Sequence, residues 1–489
     1  MRTLFLAIAL ALSPVADAQQ ASVGGYFRVM ARPDLQGGGG QLGYWNLYGR
    51  LLNETSYGTL DFRYDVLKPT PDRRAPWTSL HARIEGGSIG NADAGGGGLA
   101  NLRMSQVYVR GGNVLLKDVV WQFGTLEYYF GDLGLYDFRP ATIFFNTVGV
   151  SARYQPDWGE LQIGVGDSGF GLYGSEYNTV ITPGATARVR LGQHLEVGLG
   201  GEVFIEPTVA GNLNGAYQTP GIAYEDYVRG EVTERYQEAF PGLEDYFPDP
   251  RARDASSWKA VGYLGFGGVG PLVWSSAFAN IGMAHPEKVV VEDLAGEPTR
   301  IYIHDFTDER LQFNVGNEMQ LRLWPERLDA VWSVFYGATR DADNDIMPSE
   351  HDRTVASTVL RLQAYLTPQV HFLLENSVAT ERSNNGNAYR EHADSMFANT
   401  DGVPDTRGLE YGDTDVRNTW QGKTGVVLSP LGKGVYVRPS LRLLYGVQVS
   451  NQNNAFGNAF VETLDQYNDF DNVEQHVHHV LAAEAEVWF

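Results

Sequence analysis

The sequence predicts an all-β protein, a transmembrane antiparallel β-barrel of eighteen strands, or sixteen if the two weakest segments fail. Three observations carry that expectation. Apolar and polar residues alternate with period two: Leu60, Phe62, Tyr64 and Val66 fall on one face, Asp61, Arg63 and Asp65 on the other. A strand between hydrocarbon and water must be written this way. Tight turns at 156–159, 192–194, 267–270, 324–327, 367–369 and 430–434 are interleaved with long polar connections, the habit of membrane-spanning barrels. Aromatic residues gather near strand ends, as at Tyr44 with Trp45, Trp77, Trp121 and Trp258, in a chain with 57 Gly, 26 Tyr, 23 Phe and 10 Trp. Such a composition favours strands and turns. A soluble sandwich also alternates, so the second and third observations decide for a barrel.

Taken in order, residues 1–18 read as a secretory signal peptide. Arg2 supplies the charged start, Leu4 to Leu12 the apolar stretch, and Ala16, Asp17 and Ala18 the small-x-small cleavage site. Residues 19–489 then form one barrel domain. Strands are expected at 22–31, 50–67, 78–87, 102–113, 119–128, 147–155, 159–167, 183–191, 195–206, 257–266, 271–283, 309–323, 328–339, 353–366, 370–381, 416–428, 434–449 and 475–489. Alternation is plain at Leu80, Ala82 and Ile84, at Val148, Val150, Ala152 and Tyr154, and at Leu328, Ala330, Trp332, Val334 and Tyr336. Ala185, Ala187, Val189 and Leu191 lead through Gly192 to His194 into Leu195, Val197 and Leu199, a hairpin. An even strand count returns both termini to one side. Beyond residue 20 no apolar run reaches the roughly 18 residues of a spanning helix. The longest connection, 207–257, is rich in Glu, Asp and Tyr, with a short helix expected around 232–239. Placed over a barrel mouth as an extracellular loop, its negative field would favour cations and neutral solutes.

Composition also excludes. With 37 Lys+Arg against 59 Asp+Glu, the 489-residue chain carries a formal charge of −22, a poor basis for binding nucleic acid. The lack of cysteine removes disulfides, thiolate zinc sites and cysteine nucleophiles. Glycine spacings at 164–169 and 265–270 mimic a dinucleotide fingerprint, but neither opens a helix. His476, His478 and His479 below Glu474, and the acidic groups at Asp341, Asp343, Asp345 and at Asn399, Asp401, Asp405, read more readily as solvated rims than as metal sites. No neighbouring motifs assemble a nucleophile, base and oxyanion hole. The expectation is a non-enzyme without cofactor or metal.

Four segments carry a family resemblance. Gly25-Tyr26-Phe27-Arg28, Arg50-Leu51-Leu52-Asn53-Glu54 followed by Tyr57, Asp132 with Asp137-Phe138, and Glu484 to Phe489 are similar to corresponding segments of maltoporins, the eighteen-stranded sugar channels of bacterial outer membranes. The C-terminal aromatic strand resembles the terminal signature of such barrels generally. The likeness covers the chain up to Gln155 and the final strand; between them only the strand rhythm supports it. It implies an outer-membrane homotrimer, a third loop folded inward to narrow the pore, and an aromatic path flanked by charged residues. Tyr26, Tyr57 and Trp488 fall on aromatic-path positions, Arg28 and Arg50 on the polar track, with Asp61 and Arg63 on the channel-lining face. Asp132, Asp137, Phe138 and Arg139 fall on the constriction loop.

The chemistry is independent of the family. An aromatic ring offers a flat platform to the C–H face of a sugar, and Arg offers planar paired donors to vicinal hydroxyls. Departures from the pattern matter too. Tyr57 lies one residue out of register, the stretch from Leu126 to Gly131 lacks the family's arginines, and Arg139 stands where an aromatic is usual. These point to a wider or differently charged constriction. The aromatic residues also fit packing or girdle roles, and Asp61, Arg63 and Asp65 read more readily as lumen solvation than as selectivity elements. The leading expectation is passive diffusion of small hydrophilic solutes, carbohydrates above all, together with ions. A general cation-favouring porin, a barrel-borne surface hydrolase and an adhesin are the alternatives.

Overall fold

The computed structural model describes residues 20–31, 35, 44–45, 51–52, 57–68, 75–86, 102–136, 138–168, 180–206, 255–283, 288–292, 298–302, 310–341, 353–383, 416–450 and 477–489. The signal peptide, the expected helix at 232–239, Arg50 and Asp137 lie outside them. Eighteen strands form one sheet: β1 Gln20–Ala31, β2 Tyr57–Leu67, β3 Trp77–Gly86, β4 Leu102–Gly112, β5 Val119–Thr125, β6 Val148–Tyr154, β7 Gly159–Asp167, β8 Ile181–Leu191 and β9 Leu195–Glu206. The second half comprises β10 Ala255–Val269, β11 Leu272–Met283, β12 Arg310–Trp324, β13 Leu328–Asp341, β14 Arg353–Tyr365, β15 Val370–Ser383, β16 Val416–Leu428, β17 Ser440–Ser450 and β18 Val477–Trp488. Each strand pairs antiparallel with its sequence neighbours, and β1 also pairs with β18, so the sheet closes.

Polarity is inverted relative to a soluble protein. Leu80, Phe123, Ile163, Leu199, Leu264, Trp332, Leu443 and Leu481 are exposed on the outer face, whereas Ser79, Gln122, Gln162, Glu202, Glu318, Ser333, Arg361, Glu375 and Glu484 are buried on the inner one. The alternation read from the sequence is this division, and a wall so built suits hydrocarbon outside and water within. The turn between β8 and β9 needs its glycine: Gly192 sits at φ 76°, a conformation that penalises any Cβ.

The closing seam is tight. Gly25 N donates to Phe489 O at 3.0 Å and Phe489 N to Gly25 O at 3.1 Å. The Phe489 ring stacks on Phe27 at 5.8 Å with an interplanar angle of 8°. A Cβ on Gly25 would lie 2.6 Å from the Phe489 ring and 2.6 Å from Thr59 O.

Three expected strands need correction. The segment 50–67 is not one strand: Leu51–Leu52 pairs with Tyr44–Trp45 in a separate short ladder, and the barrel strand begins at Tyr57. The segment 434–449 enters the wall only at Ser440, because the residues before it turn into the lumen. The tight turn expected at 430–434 is consequently a longer connection, residues 429–439. The fifth strand also stops early, at Thr125, where the chain leaves the wall and heads inward.

The seam predicts a graded response. Gly25→Ala should cost about 1–3 kcal/mol in urea unfolding of the lipid-reconstituted barrel. Gly24→Ala, whose added Cβ would meet only Phe489 O at 3.3 Å, should cost less; equal effects would refute the seam as the tight point.

Candidate functional site

The lumen is shaped by two segments that leave the wall. The first, residues 126–147 between β5 and β6, is the third long connection. It carries Leu126, Tyr128, Phe130, Leu133, Leu135, Tyr136, Ala141, Ile143 and Phe144, each no more than 8% exposed. They pack against Val261, Phe278, Val331, Phe335, Val355 and Val359 of β10, β11, β13 and β14. Here the wall's inner face turns apolar, and loop and wall together form a core of the usual kind inside a barrel otherwise polar within.

Polar clamps fix this loop to the wall. Glu318 of β12 accepts from Gly134 N at 3.0 Å and Leu135 N at 2.8 Å, and Glu202 of β9 accepts from Phe144 N at 2.6 Å. Asn280 donates to Pro140 O at 2.7 Å, Tyr136 to Ser357 Oγ at 3.1 Å, and Arg188 to Phe130 O at 2.8 Å. The Arg188 guanidinium also lies 5.3 Å from the Phe130 ring and 5.7 Å from that of Tyr128, and Arg153 lies 5.2 Å from Tyr128. Two arginines of the wall thus reach the rings of the stretch from Leu126 to Gly131.

The second segment, residues 429–439 between β16 and β17, comes from the barrel's opposite end, and sequence reasoning missed it. Val435 joins the loop's apolar core, Gly434 O accepts from Gln363 Nε2 at 3.2 Å, and Tyr436 donates to Glu318 Oε1 at 2.8 Å. Burial, aided by the Glu318 carboxylate, holds the Tyr436 hydroxyl well above its ordinary pKa, so it stays a donor. Glu318 therefore ties together the wall and both inward segments. The signal available was slight: Val435, Tyr436 and Val437 form an apolar run too long for a turn, while Glu318 looks like any lumen carboxylate.

Tyr26, Tyr57 and Trp488 come together on β1, β2 and β18. Tyr26 stands between the other two, its ring 6.1 Å from Tyr57 and 6.1 Å from Trp488. Tyr26 donates to Glu486 Oε1 at 2.8 Å and Tyr57 to Glu85 Oε2 at 2.9 Å, which places both on the inner face. Arg28 is buried beside them, opposite Glu486 and Tyr57 in register. Asp61 pairs with Arg83 at 2.6 Å and Arg63 with Asp65 at 2.8 Å, so the two are charged neighbours with different partners. Asp132 is exposed on the inward loop. Phe138 packs its ring 5.6 Å from Phe335, fastening the loop, and Arg139 lies 4.2 Å over Tyr129 and 3.8 Å from Glu127.

Sequence reasoning also missed a charge ladder on β14–β18. Arg361 pairs with Glu375 at 2.6 Å, Lys423 with Glu375 at 3.2 Å, and Arg442 with Glu484 at 3.4 Å and Glu486 at 2.6 Å. Arg438 of the second inward segment also contacts Glu486, which links the ladder to Tyr26. Among the described residues no group of three or more His, Cys, Asp or Glu side chains is placed to hold a metal. His479 instead lies 2.7 Å from the Tyr445 hydroxyl.

No family model matches the chain, and no curated protein matches it. Solved structures do. OccK2 of Pseudomonas aeruginosa, solved with glucuronate, is 10% identical over 98% of this chain and 100% of that one, with a TM-score of 0.42. A BenF-like porin of Pseudomonas fluorescens is 9% identical over 96% and 99%, with a TM-score of 0.41. Wzi of Escherichia coli, described as a carbohydrate-binding β-barrel involved in capsule assembly, is 12% identical over 99% and 87%, with a TM-score of 0.38.

The Glu318 clamp is open to direct test. Glu318→Ala strips the acceptor from Gly134 N, Leu135 N and the Tyr436 hydroxyl, at about 1–3 kcal/mol for each buried donor left unpaired. Limited proteolysis of the folded barrel should cut the inward loop of this variant faster than that of the parent, whereas Lys117→Ala, in the exposed turn between β4 and β5, should leave the cutting rate unchanged.

Proposed function

We propose that the chain is a bacterial outer-membrane channel for passive diffusion of small hydrophilic solutes, with carbohydrates as its preferred class. The observation that carries this reading is the inner-face row Tyr57, Tyr26, Trp488, whose rings stand 6.1 Å apart beside the paired charges of Arg28, Glu486 and Arg442. Rings give a pyranose face a surface to slide along; paired Arg and carboxylate groups exchange hydrogen bonds with hydroxyls. Many weak successive contacts lower the barrier to transit yet let the solute leave, so no energy source is required. The row stands on β1, β2 and β18, away from the strands that clamp the third loop. In this reading Arg50 and Asp137 belong to the same path and constriction, Met1 to Ala18 directs export, and the barrel assembles as a homotrimer of the kind maltoporins form.

A second reading, a general cation-favouring porin without sugar preference, draws on the formal charge of −22. Planar-bilayer recordings separate the two. The carbohydrate reading requires stepwise conductance that neutral oligosaccharides interrupt, and Tyr26→Ala should shorten the blocked time about fivefold, the loss of roughly 1 kcal/mol of ring contact. Conductance without any sugar block would leave the general porin; liposomes that fail to swell in sugar would end both readings and favour a closed surface barrel.

A further inference from the structure

We propose that the inner wall between β16 and β18 carries a pocket for the exocyclic hydroxymethyl group of a neutral sugar, with Gln448 as its recognition residue. The inference rests on the carbohydrate reading above and narrows it to a structural class of sugar. Gln448 is 1% exposed, yet neither Nε2 nor Oε1 of its amide has a hydrogen-bond partner. A buried amide left unpaired at both ends is costly and marks a place where a polar group is missing. It borders a cavity of about 30 Å³, room for one or two water-sized groups.

The chemistry of the lining fits one kind of group. Leu444, Val480 and Ala482 supply an apolar side, and Gly446 leaves room. The charged residues on the rim are already engaged: Lys423 is 3.2 Å from Glu375, and Glu484 is 3.4 Å from Arg442. Among the described lining residues, Gln448 is the one whose amide has both its donor and its acceptor unpaired; the Gln421 amide opposite it in register is engaged elsewhere. A –CH₂OH arm matches this set, its methylene against the apolar side and its hydroxyl, donor and acceptor at once, against the amide once the Gln448 side chain turns its closed-off ends toward the cavity. A carboxylate matches only Nε2 and meets Glu484 nearby; a bare ring hydrogen fills nothing.

Placement along the path supports a discriminating role. Gln448 pairs in register with His478 at the start of β18, and Trp488 ends that strand, so the amide and the aromatic row lie roughly 30 Å apart along one strand, with the pocket's Ala482 and Glu484 between them. Gln448 lies toward the end that bears the long connections, and a solute arriving from that side meets it before the aromatic row.

The test compares cellotriose with xylotriose, trisaccharides of the same linkage that differ by the hydroxymethyl arms, as blockers of single-channel current. The parent channel should be blocked at least threefold longer by cellotriose. Gln448→Leu, which keeps the bulk and removes both polar ends, should erase that difference, and Gly446→Val, which fills the cavity while leaving the amide in place, should do the same. A parent channel that holds both sugars equally long, or a preference that survives both substitutions, overturns the pocket while leaving carbohydrate passage standing. Absence of block by either sugar overturns the carbohydrate reading and the pocket together. Each variant is first shown to be folded by heat-resistant migration in detergent gels.

Discussion

A backbone placed in hydrocarbon has no water to satisfy its N–H and C=O groups, so every one must find a partner within the protein. Closure of the sheet is therefore the condition on which the rest depends. The pairing of β1 with β18 meets it, and the local means are specific: Gly25 exchanges both backbone bonds with Phe489, and its missing Cβ admits the Phe489 ring to its place on Phe27. Once the sheet is a cylinder, its two faces have different solvents. The period-two alternation of side chains then becomes an apolar exterior and a polar bore.

A bore of eighteen strands is too wide for wall side chains to fill, and the protein narrows it with chain drawn from both ends. Residues 126–147 and 429–439 converge on one carboxylate, Glu318, which accepts from Gly134 N, Leu135 N and the Tyr436 hydroxyl. Apolar residues on the inner faces of β10, β11, β13 and β14 would be misplaced against water. They are instead covered by Leu133, Leu135, Tyr136 and Phe144 of the loop. The inversion of polarity is thus local to each wall sector, and the paired charges and the aromatic row lie together on the sector that runs from Arg361 of β14 through β18 to β1 and β2.

That division assigns different work to loop and wall. The loop supplies shape, held by backbone donors on buried acceptors and by Arg153 and Arg188 reaching its rings from outside. The wall supplies chemistry, on strands whose geometry is fixed by two neighbours each. Groups mounted on strands hold their spacing better than groups on a loop, as the proposed path of weak successive contacts requires.

Strand positions and inner and outer faces were legible in the sequence, because alternation is a local property with period two. Ranges such as 159–167, 195–206 and 416–428 were read to the residue for that reason. Tyr26, Tyr57 and Trp488, by contrast, were singled out by family resemblance, and only the closed sheet sets them side by side. Leu51 and Leu52 were misread as part of a barrel strand because a two-residue ladder with Tyr44 and Trp45 leaves no periodic trace. Contacts distant in sequence were invisible: Glu318 with Gly134, Tyr436 with Glu318, Arg442 with Glu486. The sequence by itself determined which residues face lipid and which face water, since each strand must satisfy two solvents at once. Only the closed tertiary structure decided which inner positions stay wet, which are covered by returning chain and which charges pair, because those outcomes depend on curvature and on which strands stand opposite one another across the bore.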